Sequence, residues 1–173
     1  MIVWLVGLSG AGKTTLGREL YAQWKKLDPA TVLVDGDEMR AIFGADRGPD
    51  AYALSGRRQN ADRIVEVCSW LDRQRINVVC CILCIFPEVL AENRKRFRRY
   101  FEVFVDAPMD QLVERDNKGL YAGARSGAIP NVVGVDIPFP RPLGADLVVN
   151  NSGRGFDVAA IASNLLAQWT GTR

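Results

Sequence analysis

The chain has 173 residues, 48% hydrophobic and 24% charged, the balance of an ordinary globular domain rather than of a disordered chain. Its 22 basic and 20 acidic side chains leave a formal net charge of +2, which argues against a general nucleic-acid binder. The absence of histidine excludes histidine-held zinc and Ser-His or Cys-His catalytic pairs, and no apolar run approaches the ~18 residues of a membrane span.

Residues 3–6 read as a first strand with no basic leader ahead of them, so the expected location is the cytoplasm. The strand feeds Gly7-Leu8-Ser9-Gly10-Ala11-Gly12-Lys13-Thr14, which matches G-x-x-x-x-G-K-[ST] at every fixed position. A helix from 13 to about 26 follows, with Leu16, Leu20 and Trp24 four apart. Strand, glycine-rich loop and helix form the context in which this motif holds phosphate. Glycines let the backbone wrap closely and aim N–H groups inward, and the helix N-terminus adds a favourable dipole. The expected ATP contacts are Gly7, Ser9, Gly10, Ala11, Gly12, Lys13, Thr14 and Thr15. Lys13 reaches the β- and γ-phosphates, and the Thr14 hydroxyl holds Mg²⁺.

Residues 31–34 form a second strand, ending in Asp35-Gly36-Asp37-Glu38-Met39-Arg40. Carboxylates at the carboxyl edge of a parallel sheet face the cradle, where one of them can take a proton from an attacking hydroxyl. Arg40 can bind an acceptor phosphate or hold an aspartate. A turn with a helix cap would use the same residues, and the motif alone leaves both readings open.

A helix from about 57 to 73 carries Ile64, Val67, Cys68 and Leu71 on one face. The run 76–86 reads as a buried strand containing Cys80, Cys81 and Cys84. Cys81 and Cys84 then point to opposite faces, so their C-x-x-C spacing is no redox clip, and the thiols read as core in a reducing compartment. A charged helix covers about 88 to 99, and its basic run 94–99 reads as a solvated face. A fourth strand spans 101–105 and ends at Asp106, a short helix spans 110–115, and a fifth strand spans 147–149. Ile161, Leu165 and Trp169 mark a last helix. Trp4, Trp24, Trp70 and Trp169 all read as core or part-buried packing.

This alternation predicts an α/β chain: a three-layer P-loop NTPase fold, with a five-stranded parallel sheet and helices on both faces, as one domain over 1–173. The stretches 44–56 and 118–144 fit neither period and read as mobile covers over the site. A P-loop serves kinases, GTPases and motors alike. Asn117-Lys118-Gly119-Leu120 lacks the aspartate of a guanine-reading N-K-x-D, and two covers on a small domain favour a kinase, which must exclude water.

Taken together, the motifs resemble the adenylylsulfate kinase family across most of the chain. The P-loop through Leu16, Asp35-Gly36-Asp37 with Arg40, and Arg57 with Asn60, Arg63 and Ile64 all look like family motifs. So do residues 101–108 and the lid string Arg115-Asp116-Asn117-Lys118-Gly119-Leu120-Tyr121 with Ala124-Arg125, Gly127 and Ile129. Gly134-Val135-Asp136, Pro138 and Pro142 continue the match. The resemblance implies transfer of the ATP γ-phosphate to the 3′-hydroxyl of a nucleotide's ribose, with ATP and Mg²⁺ as cofactors. By it, Asp37 is the base or hydroxyl-orienting group with Asp35 nearby. Arg40, Arg57 and Asn60 hold the acceptor's anionic end, Lys118 reaches the transferring phosphate, and Arg115 lies near the ATP adenine. The lid supplies positive charge on closure. Family members are often homodimers, and neither a nucleic acid nor a membrane is an expected partner.

Departures from the family pattern fall around the acceptor. The aromatic pair that grips its base is Tyr52 and Val132 here, and valine cannot stack as a ring does. Ile85-Phe86-Pro87 stands where the family has I-S-P, so no phosphoserine can form there and direct transfer is expected. Glu38 adds a carboxylate to the D-G-D motif. Acceptor contacts are expected from Asp37, Arg40, Tyr52, Arg57, Asn60, Ile85, Phe86, Lys118, Leu120 and Val132. Adenylylsulfate, the substrate of sulfate assimilation, is the leading acceptor. The alternative is cytidine diphosphoramidate, used by a branch of the family in capsule polysaccharide modification. A nucleotide-binding regulator without turnover is a third reading.

Overall fold

The computed structural model describes residues 1–48, 50–116, 119–153 and 155–170. β1 (Ile2–Val6) is apolar at every position because it is the middle strand of a sheet covered on both sides. The strand order is β2-β3-β1-β4-β5, with β2 Thr31–Asp35, β3 Asn77–Ile82, β4 Tyr100–Asp106 and β5 Leu147–Asn150, and every pairing is parallel. The chain therefore returns by crossover after each strand, and the carboxyl ends of β1, β2, β3 and β4 line one edge.

Alternation along β1 divides the core. Val3 and Leu5 face α1 (Lys13–Leu27) and α7 (Val158–Thr170), while Ile2, Trp4 and Val6 face α3 (Leu54–Arg73) and α4 (Pro87–Arg96). Leu16, Leu20 and Trp24 lie on the buried face of α1, and Trp24 packs 5.5 Å from Trp169. Trp70 is the exception among the tryptophans: at 56% exposure it sits on the outer face of α3, a correction to its reading as packing.

β3 ends at Ile82, sooner than the continuous run 76–86 suggested, because the chain must leave the sheet to reach the site. Cys80 and Cys84 join the α3–α4 side of the core and Cys81 the α1 side; all four cysteines are buried and unpaired. The basic side chains of the run 94–99 are exposed, as the sequence suggested, though three of them are ion-paired. Phe97 is buried, and Arg94, Arg96 and Arg98 form ion pairs with Asp146, Glu66 and Asp72. The irregular stretches also hold more structure than expected. α3 starts at Leu54, and α6 (Leu120–Arg125) follows α5 (Met109–Glu114). Val132, Val133 and Ile137 are buried, so the second stretch packs down on the molecule. Among the described residues, no helix is long and apolar enough to cross a membrane.

Candidate active site

The chain leaves β1 at Gly7, where a Cβ would lie 2.4 Å from the Val105 carbonyl oxygen. It then turns through Gly10 (φ 76°) and Gly12 (φ 99°), left-handed positions that favour glycine, and enters α1. The first turn of α1 contains no acidic residue, so its N-terminal dipole is left for an anion. Lys13 Nζ donates to the Leu8 carbonyl at 2.7 Å, folding its ammonium over the loop.

Thr14 and Asp35 meet across 21 positions of sequence: the threonine hydroxyl donates to Asp35 Oδ2 at 2.7 Å. Asp35 Oδ1 accepts the Asp37 N–H at 2.9 Å and so caps α2 (Gly36–Ile42). Of the two readings left open for this motif, the structure shows the helix cap, and the same carboxylate also holds the P-loop threonine. Asp37, in the first turn of α2, is exposed at the same sheet edge and acts electrostatically on Arg57.

Arg40 is buried, yet its guanidinium donates to the Ala51 carbonyl at 2.6 Å and lies 4.8 Å from the Tyr52 ring. Arg57 stands 5.7 Å from the same ring and donates to the carbonyls of Tyr52 and Asn131, both at 2.8 Å. Burial lowers the pKa of Arg57 from its ordinary value, and the charge of Arg40 adds to the effect. An anion between the two would relieve that repulsion. Asn60, one turn beyond Arg57, is 3% exposed, and its buried Oδ1 has no hydrogen-bond partner among the described residues.

Ile85 is buried with Val133 and Ile137. Phe86 is half-buried, with Arg58 5.5 Å from its ring, and Leu120 packs at the start of α6. Val132 corrects the sequence reading. At 2% exposure its side chain belongs to the α1-side core, and its N–H bonds to Asp136, so it turns no open face to an acceptor. Tyr52, 47% exposed, therefore faces no ring from that position. Lys118 lies outside the described residues. A cleft of about 370 Å³ opens beside Leu8, lined by Phe104, Met109 and Phe139 and by the bidentate Arg141–Asp106 pair.

Arg115 donates to Gln111 Oε1 at 2.8 Å and to the Asn151 carbonyl at 3.4 Å, on the same side of the loop as Ala11. Sequence reasoning missed two contacts there. Asn151 Nδ2 donates to the Ala11 carbonyl at 2.9 Å, and the Tyr121 hydroxyl donates to the Ser9 carbonyl at 2.8 Å. The carboxylate of Asp116, within the lid string, accepts the N–H groups of Leu120, Tyr121 and Ala122 and so fixes α6. No local pattern marks Asn151, whose role arises from where β5 ends.

The family model described as adenylylsulphate kinase matches residues 1–150. The chain belongs to the adenylylsulfate kinase family. It is a phosphotransferase with the P-loop kinase fold. The cytidine diphosphoramidate kinase of Campylobacter jejuni subsp. jejuni serotype O:2 is 41% identical over 153 residues, covering 88% of this family member and 87% of the relative. The adenylyl-sulfate kinase of Paraburkholderia xenovorans is 37% identical over 153 residues, covering 86% and 82%. Among solved structures, the Mycobacterium tuberculosis APS kinase in complex with AMPPNP and APS superimposes with a TM-score of 0.84 at 28% identity, covering 98% of this chain and 96% of that one.

Proposed function

We propose that this kinase transfers the γ-phosphate of ATP to the ribose 3′-hydroxyl of a cytidine diphosphate-type acceptor such as cytidine diphosphoramidate. The observation that carries the choice of acceptor is the one-sided aromatic contact: Tyr52 is exposed while Val132 is buried in the core. A pyrimidine is smaller than adenine and asks less of a two-sided clamp. The 41% identity to a kinase of that name supports the same reading. Adenylylsulfate, the leading acceptor from sequence, stands as the second reading, favoured by the breadth of the family match and by the APS-bound structural relative.

In this reading Lys13 and the loop hold the β- and γ-phosphates, and Asp37 orients the attacking hydroxyl. Lys118 meets the transferring phosphate, and Arg115 lies by the ATP adenine. Arg40, Arg57 and Asn60 take the acceptor's anionic end, with Ile85, Phe86 and Leu120 as walls. Mg²⁺ fits the donor set. The Thr14 hydroxyl gives its hydrogen to Asp35 and so keeps its lone pairs for a hard cation that otherwise takes phosphate oxygens and water. Bound there, the ion neutralises charge on the phosphates. A homodimer in the cytoplasm is the expected state, checked by light scattering on the purified chain.

The test is coupled ADP release with Mg·ATP, comparing cytidine diphosphoramidate, adenylylsulfate and plain nucleotides over a no-acceptor blank. Turnover with the cytidine compound at least about tenfold above adenylylsulfate in kcat/KM is the expected result. Strong turnover with adenylylsulfate alone returns the assignment to the second reading. No acceptor-dependent ADP release from any nucleotide overturns the proposal.

A further inference from the structure

The phosphate-binding loop is gripped from behind at two alternate carbonyls. Tyr121, on α6, donates its hydroxyl to Ser9 O at 2.8 Å, and Asn151, just past β5, donates Nδ2 to Ala11 O at 2.9 Å. Both side chains are built in rather than draped across the surface. Tyr121 is buried in the α1-side core, and Asp116 holds the first turn of its helix through three backbone N–H groups. Asn151 is anchored by its own backbone, its N–H donating to Asp106 O at 2.7 Å and its carbonyl accepting from Arg115. It also presses against the loop, since a Cβ on Gly12 would lie 2.8 Å from its Nδ2.

No peptide bond among the described residues is cis. In a trans peptide the C=O and the following N–H point in opposite directions. A Ser9 carbonyl held outward by Tyr121 therefore turns the Gly10 N–H the other way, and an Ala11 carbonyl held outward by Asn151 does the same for the Gly12 N–H. Both glycines have left-handed φ, so without these partners the two peptides could rotate at little steric cost. We infer that Tyr121 and Asn151 are positioning residues that set the two peptide planes presenting the Gly10 and Gly12 N–H groups to the β-phosphate of the bound nucleotide. The inference rests on the ATP-binding reading of the loop.

It also has a consequence for the lid. Tyr121 belongs to the segment that carries Arg115 and Arg125, so one side chain joins the covering helix to the cradle. Order in α6 and order in the phosphate site are then coupled in part through this hydroxyl, beside the packing of Leu120 and Ala124 on the same core. Burial, with the charge of Asp116 adding to it, pushes that phenol up to about 12, so it remains a donor throughout the working range of pH.

The experiment is calorimetric binding of ADP and of AMP to the unaltered chain, Tyr121→Phe and Asn151→Ala, with circular dichroism on each. AMP has no β-phosphate, so it reads the rest of the nucleotide site. Each folded variant is expected to lose about fivefold in ADP affinity, the effect of one hydrogen bond, while AMP affinity holds. The double variant is expected to lose roughly the product of the two factors, since the residues grip different peptides. Equal weakening of ADP and AMP, or unchanged ADP affinity in folded Tyr121→Phe, overturns the inference. A failure of the unaltered chain to bind ADP would instead remove the ATP-binding reading, and this inference with it.

Discussion

At the scale of single residues, the site concentrates carboxylates and cations whose roles separate by what they touch. Asp35 is engaged twice, by the Thr14 hydroxyl and by the Asp37 N–H, which suits it to hold rather than to react. Asp37 is exposed at the sheet edge beside the field of Arg57. Asp37→Asn is therefore expected to lower kcat by about 100-fold, the scale of a lost general base, with the KM for ATP within about twofold of the original. Steady-state kinetics with ATP varied would check this, and a parallel loss in kcat and ATP affinity would make the residue structural. The P-loop and the D-G-D motif were legible in the sequence because their spacing is local. The Thr14–Asp35 bond was not, because it spans two elements.

At the scale of elements, α1 crosses β3 so closely that Gly17 has no room for a side chain. A Cβ there would lie 2.1 Å from Cys81 Sγ, whose own hydrogen bond reaches the Lys13 carbonyl at 3.4 Å. Alanine favours helix over glycine by about 1 kcal/mol, but overpacking costs about 1–3 kcal/mol and is expected to win. Gly17→Ala should lower Tm, and adding Cys81→Ala should restore much of the loss by vacating the contested space. A Gly17→Ala protein at least as stable as the original would show that the α1–β3 contact yields without strain. The order and type of the five strands and of α1, α3, α4, α5 and α7 followed from alternating apolar runs, while the short helices α2 and α6 did not. Ends moved by a few residues: Pro87 opens α4, which closes at Arg96 rather than at 99.

At the scale of the whole molecule, the sheet separates two cores, and Glu102 is the most buried of three buried carboxylates among the described residues, with Asp35 and Asp72. Glu102 is 2% exposed on β4, accepts the Tyr100 hydroxyl at 2.9 Å and lies 3.6 Å from Arg94. Burial raises its pKa above the usual 4.5, against the opposing pull of Tyr100 and Arg94. The folded state then binds this proton more tightly than the unfolded one. The group's contribution to stability is most favourable below 4.5 and declines as pH rises through the folded value. Glu102→Gln lacks that slope, so the Tm of the variant minus that of the original should increase with pH from about 4.5 upward. A difference independent of pH would mean that the carboxyl keeps its ordinary value.

The division between what the chain announces and what folding adds follows from range. Apolar periodicity, the glycine-rich loop, the acidic edge of β2 and the lid string are patterns within a few residues, and they were enough for the fold class, the phosphate cradle and the family resemblance. The burial of Val132, the bracketing of Tyr52 by Arg40 and Arg57, and the grip of Tyr121 and Asn151 on the loop join residues up to 140 positions apart. Only the parallel crossovers, which return each strand to the same edge, bring those residues together. No local pattern encodes such a contact, because its energy comes from excluding water between segments that share nothing in sequence.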